Sequence, residues 1–185
     1  KKLKAFYKKL ELFEKINFEL QEVARPSPVK WGKCTLETAS YGHGITTTPL
    51  QLAKAYATLV NGGYKVEPTL IKNEYKNLKK EKIISKETSK HIKNILRKVV
   101  SQEEGTANFA EIPGYDIAGK TGTAEKYNSD KQINTFVSFF PSNNPKYVLV
   151  VLLDEPKAAP DYIYTFKFEN NYKGSGYKKN TAGWN

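Results

Sequence analysis

Lys120 belongs to two overlapping patterns that would give it different chemistries. Gly114-Tyr115-Asp116-Ile117-Ala118-Gly119-Lys120-Thr121 meets every fixed position of G-x-x-x-x-G-K-[ST], in which backbone N–H groups and the lysine hold a nucleotide's phosphates. Asp154-Glu155, after the apolar run Val148–Leu153, could then stand as the acidic strand end that holds magnesium. The second pattern is Lys120-Thr121-Gly122-Thr123, which read alone is a strand with one exposed lysine. A phosphate loop follows a buried strand and opens a helix whose N-terminus faces the phosphates. Asn108–Pro113 is not an apolar strand, and no stripe of period 3.6 follows Thr121. The context therefore disfavours a P-loop ATPase and predicts that Lys120 lies within a strand.

The other reactive side chains are isolated. Cys34 is the only cysteine, so the chain forms no internal disulfide. His43 is near it in sequence, but no cysteine-enzyme signature surrounds either, and a lone thiol reads as a small buried hydrophobe. His91 has no partner nearby in sequence and reads as a surface or boundary residue.

The elements that must position these residues fall in a clear order. Leu3, Phe6, Tyr7, Leu10 and Phe13 recur at helical spacing over residues 1–14, and Arg25-Pro26-Ser27-Pro28 begins a loop. Thr48 as N-cap, Pro49 in the first turn and Gln51 completing a capping box predict a helix. Its apolar face is Leu52, Tyr56, Leu59 and Val60, and Asn61-Gly62-Gly63 ends it. A third helix starts near Ser85, with Ile92, Ile95, Leu96, Val99 and Val100 as its buried stripe. Lys86, Lys90, Lys93 and Arg97 are its wet face. Residues 115–125, 134–140 and 147–153 then read as strands. Pro141–Pro145 is too short for a parallel crossover, so the last two strands pair antiparallel. The class is α+β or mixed α/β: helices packed on an antiparallel sheet. Residues 157–180 have no clear period and read as an irregular surface insertion.

Composition bounds the partners. The chain's 185 residues, 39% hydrophobic, suffice for one domain with a core. The net charge of +11 is scattered over helix faces and the tail, without interleaved aromatic residues, so a solvated basic surface is the better reading than a nucleic-acid site. No apolar run is long enough to span a membrane, and the start Lys1-Lys2-Leu3-Lys4, with an amphipathic pattern behind it, does not read as a signal peptide.

A wider pattern surrounds Lys120. Ser40-Tyr41-Gly42-His43-Gly44-Ile45, Thr48-Pro49-Leu50-Gln51-Leu52-Ala53, Asn61-Gly62-Gly63, Pro68 and Gly105-Thr106-Ala107 precede it. Gly119–Lys126, Phe136–Pro141, Asp154-Glu155-Pro156 and Thr181-Ala182-Gly183-Trp184-Asn185 complete it. Together they resemble class B penicillin-binding proteins, the peptidoglycan D,D-transpeptidases, over nearly the whole chain. Asp154-Glu155-Pro156-Lys157 and the closing Thr181–Asn185 look most like the division-specific branch, with the elongation-specific branch as the rival.

The resemblance implies the serine β-lactamase/transpeptidase-like fold, residues 1–185 forming part of one such domain, and peptidoglycan cross-linking. A serine would attack the penultimate D-alanine carbonyl of a stem peptide and expel the terminal D-alanine. The acyl group would then pass to a neighbouring strand's amine. Lys120 would place a cation on an edge-side strand beside the substrate carboxylate and the catalytic serines. Thr121 and Thr123 would hydrogen-bond that carboxylate, and Gly122 would let the substrate backbone come close. The Thr123 N–H would be one oxyanion donor. No metal and no cofactor are implied. The implied partners are stem peptides, β-lactams and a membrane glycosyltransferase of the division machinery, with a membrane anchor and an extracytoplasmic location.

The family's Ser-x-x-Lys and Ser-x-Asn motifs, which supply the nucleophile, are expected before Lys1, and its last helix after Asn185. The matches inside the chain are poorly placed. Ser27-Pro28-Val29-Lys30 lies between prolines, Ser175-Gly176-Tyr177-Lys178 follows Lys-Thr-Gly, and Ser142-Asn143-Asn144 sits in a hairpin turn. The chain alone is therefore expected to be inactive. A serine β-lactamase and a penicillin-sensing domain of the same fold remain the alternatives.

Overall fold

The structure is a computed structural model that describes residues 2–21, 24–32, 34–72, 81–157, 164–167 and 173–176. Helices α1 (Lys2–Lys9), α2 (Thr35–Ala39), α3 (Pro49–Val60) and α4 (Lys86–Ser101) come first. A short 3-10 turn, Asn108–Ala110, leads to strands β1 (Ala118–Glu125), β2 (Gln132–Phe140) and β3 (Tyr147–Asp154). These form one antiparallel sheet in the order β1-β2-β3, so the α+β class holds. Two compact units can be distinguished, Lys1–Lys120 with Val137–Val150, and Thr121–Phe136 with Val151–Asn185.

The first unit holds a core of Val60, Ala118 and Phe139, with Tyr56, Leu59, Leu96 and Val148 packed against it. Helices α3 and α4 thus cover one face of the sheet residues. The alternate residues of β3, Tyr147, Leu149, Val151 and Leu153, are exposed.

Local signals set the helix ends. The α3 capping box is complete: Gln51 N–H donates to Thr48 Oγ1 at 3.2 Å, and Thr48 N–H to Gln51 Oε1 at 2.9 Å. At the other end, Asn61 Oδ1 accepts from the N–H groups of Gly63 and Tyr64. Gly63, at φ +89°, is required there, because a Cβ would lie 2.3 Å from the Ile84 carbonyl oxygen. Ser89 on α4 donates to the Leu59 carbonyl at 2.6 Å and accepts from Gly62 N–H, tying α4 to the end of α3. Ser85 caps α4 by accepting from Thr88 N–H at 3.0 Å.

Four expectations change. The helix read over residues 1–14 stops at Lys9, and Glu11 turns left-handed at φ +54° while its carboxylate meets Lys54 and Lys65. On α3 the apolar face was the expected buried side, yet Gln51, Lys54 and Thr58 are buried beside Ala55 and Val60. On α4, Ile95 is exposed, while Arg97 is half-buried in ion pairs. Within 157–180, expected to be irregular, β4 (Tyr164–Lys167) and β5 (Lys173–Gly176) pair antiparallel. The Thr181–Asn185 motif lies outside the described residues.

Candidate active-site strand

β1 carries the whole Lys120–Thr123 motif and stands at the edge of the three-stranded sheet. Ala118 and Gly119 are buried; Lys120, Gly122 and Thr123 are exposed, and Thr121 is half-buried. Side chains alternate along a strand, so Lys120 and Gly122 share one side and Thr121 and Thr123 the other. A ligand using the cation and both hydroxyls would therefore lie along the edge rather than on a single face. The strand also settles the phosphate-loop question. β1 continues through Thr121 to Glu125 where a phosphate loop would open a helix.

Gly122 differs from Gly63. Its backbone is not left-handed, and the nearest atom to an added Cβ is the Thr135 carbonyl oxygen at 4.0 Å. Nothing in the described fold demands glycine at this position.

The start of β1 is held by a clamp that the sequence did not reveal. Arg97 of α4 pairs through Nη1 and Nη2 with both carboxylate oxygens of Glu111. Its Nη1 also donates to the Ile117 carbonyl at 2.7 Å, and its Nε pairs with Asp116 Oδ1 at 2.9 Å. Ser142 closes the clamp from the β2–β3 connection. Its N–H donates to the Asp116 carbonyl at 2.8 Å and its Oγ to Asp116 Oδ2 at 2.8 Å. The Arg97 hydrogen bonds hold the Glu111 carboxyl below its ordinary value, against weak desolvation. Residues spaced so far apart in sequence leave no local signal. Ser142, half of a Ser-x-Asn match, is therefore buried and committed to Asp116. Of the other two matches, Ser27 lies in an exposed non-helical stretch and Ser175 in β5.

In the second unit, a clasp joins the residues just after β1 to the last residue of β3 and the one that follows it. Lys126 Nζ lies 2.7 Å from Asp154 Oδ1 and 2.7 Å from Glu155 Oε1. Lys131 Nζ lies 2.7 Å from Glu155 Oε2, and Glu155 N–H donates to the Gln132 carbonyl at 2.9 Å. The hydrogen bonds from Lys126 and Lys131 hold the Glu155 carboxyl down at about 2. Asp154-Glu155, legible only as a motif, is thus engaged with lysines rather than placed for magnesium.

Cys34, expected to be buried, is exposed, and it lines an open depression together with His43. His91 is exposed on α4.

Residues 1–179 match the family model described as "Penicillin binding protein transpeptidase domain". The chain belongs to the penicillin-binding protein transpeptidase domain family. It is 37% identical over 171 residues to the "Probable peptidoglycan D,D-transpeptidase FtsI" of Caulobacter vibrioides, covering 84% of this chain and 29% of that protein. It is 35% identical over 170 residues to the "Peptidoglycan D,D-transpeptidase FtsI" of Buchnera aphidicola, with the same coverage of 84% and 29%. Among solved structures, the apo transpeptidase domain of Burkholderia pseudomallei penicillin-binding protein 3 superposes with a TM-score of 0.76 at 29% identity. That match covers 83% of this chain and 49% of the other. The chain thus spans less than a third of the curated relatives it matches. Both the transpeptidase resemblance and the fold expected from it hold. Among the described residues, no helix is long and apolar enough to cross a membrane.

Proposed function

We propose that this chain forms the Lys-Thr-Gly wall of the active site in a peptidoglycan D,D-transpeptidase that acts at the division septum. The observation that carries the reading is Gly122: exposed on an edge strand, inside the family's motif, and not demanded by the described fold. A glycine that the fold does not need is accounted for by a ligand backbone that must come close. Among the described residues β1 is paired with a strand on one side, and such an edge offers main-chain groups to an extended peptide; the stem peptide lies there as an added strand. Lys120 faces the substrate carboxylate, Thr121 and Thr123 hydrogen-bond it, and the Thr123 N–H donates to the developing oxyanion.

The serine nucleophile and its lysine come from outside these residues, in a longer protein of the relatives' kind. That protein is anchored in the cytoplasmic membrane, works on its outer side, and pairs with a glycosyltransferase of the division machinery. β-Lactams acylate the same serine, whereas this chain by itself is not acylated.

The test is labelling of the full-length protein by a fluorescent penicillin. Gly122→Ala should leave the melting temperature unchanged and reduce labelling by about tenfold or more, since an ångström of misplacement in a site can cost up to about a hundredfold. Labelling of the isolated chain, or unchanged labelling of the variant, would count against the reading.

A further inference from the structure

We infer that Arg97 is a positioning residue for Lys120, acting through Asp116, Ser142 and the Ile117 carbonyl. The inference rests on the transpeptidase reading of Lys120.

The clamp fixes one short piece of backbone in several independent ways. The Asp116 carbonyl accepts from Ser142 N–H, its carboxylate is shared between Arg97 and Ser142, and the next carbonyl, that of Ile117, accepts from Arg97. Asp116 sits at φ +50°, in the left-handed region that aspartate enters more readily than most residues with a Cβ, and the hydrogen bonds to Ser142 and Arg97 fix it there just before β1.

The residues after the clamp transmit its hold. Ala118 is fully buried in the core and Gly119 is buried, so the chain has little freedom before Lys120 emerges into solvent. In an extended strand, three residues from Ile117 to Lys120 span about 10 Å. A tilt of the Ile117 peptide therefore displaces Lys120 by a comparable angle over that arm. The carrier of Arg97 is itself fixed, since α4 is tied to α3 through Ser89 and packs Leu96 on the core. The planar guanidinium suits the task, because it meets Glu111, Asp116 and a carbonyl at once from one rigid group.

The test uses the full-length protein that carries this chain. Acylation is timed by intact mass with a penicillin and with that penicillin's methyl ester, and the ratio of the two second-order constants is taken. The fraction of folded enzyme cancels in this ratio, so loss of stability alone does not move it. Wild type should prefer the free carboxylate. Arg97→Gln should reduce that preference about tenfold, in keeping with the sensitivity of catalysis to small misplacements. Lys90→Gln, an exposed change on the same helix, should leave it intact. An unchanged ratio in Arg97→Gln, or an equal fall in Lys90→Gln, overturns the inference. If Arg97→Gln does not fold, Ser142→Ala decides: it removes only the Oγ bond to Asp116, and a ratio equal to wild type overturns the inference while a clear fall supports it. If wild type is acylated by neither compound, the transpeptidase reading fails and this inference with it. If wild type shows the carboxylate preference and the variants keep it, only the inference fails.

Discussion

Two ion-pair networks in this chain each join two lysines to carboxylates, two of them in the clasp and three in the first unit, where Glu81 stands 4.0 Å from Lys65. In the first unit, Lys54 Nζ lies 2.5 Å from Glu11 and 2.7 Å from Glu67, while Lys65 Nζ lies 2.5 Å from Glu11 and 3.1 Å from Glu67. In the second, Lys126 and Lys131 meet Asp154 and Glu155, each contact at 2.7 Å. Burial separates them chiefly at one residue: the Lys54 side chain is 2% exposed, whereas Lys65, Lys126 and Lys131 are 21%, 27% and 55% exposed. Distance therefore says little about what each network contributes. A buried charge that loses its partners has no water to turn to, while an exposed one is rehydrated and screened. Burial raises the Glu11 pKa, but the hydrogen bonds from Lys54 and Lys65 outweigh it, and the group ends below its ordinary value.

The comparison can be broken in three places. The largest expected effect is that of Lys54→Ala, which leaves Glu11 with Lys65 as its remaining cation, takes a partner from Glu67 and empties a buried position. Unfolding by denaturant should show a loss of about 3 kcal/mol that persists in high salt. A loss that vanishes in salt would place this network with the exposed one. Lys126→Ala should give a much smaller fall in melting temperature, absent at about 1 M salt, where the screening length is about 3 Å. Salt-independence there would mean that the clasp acts by more than exposed charge.

The smallest effect concerns Glu155. Its folded-state pKa, about 2, lies below the unfolded value, so its contribution is fully present above about pH 4.5 and is lost as pH falls toward 2. Glu155→Gln should therefore melt below wild type at pH 6 and match it at pH 2. A gap between the two that stays constant with pH would show that the carboxylate's charge is not what holds the clasp.

How much could be read from the sequence depends on the range of the signals. Thr48, Pro49 and Gln51 report on one another within a turn, and the capping box formed as read. The apolar run around Val148 and the short Pro141–Pro145 link specified strands and their pairing from local rules, and Lys120 fell on a strand because no helix pattern came after it. Lys54 and Ile95 both depart from what an amphipathic pattern implies. An amphipathic pattern assigns a lysine to water and an isoleucine to the core, but Lys54 is buried where Glu11 and Glu67 meet it, and Ile95 is exposed on α4. Arg97 is the sharpest case. Its partners Glu111 and Asp116 lie 14 and 19 residues onward, Ser142 reaches Asp116 from the β2–β3 connection, and no spacing rule links them.

The edge position of β1 has one more consequence, in the exchange of its backbone hydrogens. In an edge strand every second N–H points to the neighbouring strand and the others point outward, so protection from solvent exchange should alternate along Ala118–Glu125. A peptide that docks along the open side would slow the outward set and leave the inward set as it was. The strand thus carries its own record of occupancy, legible residue by residue, and the side from which a ligand arrives is written in which amides fall silent.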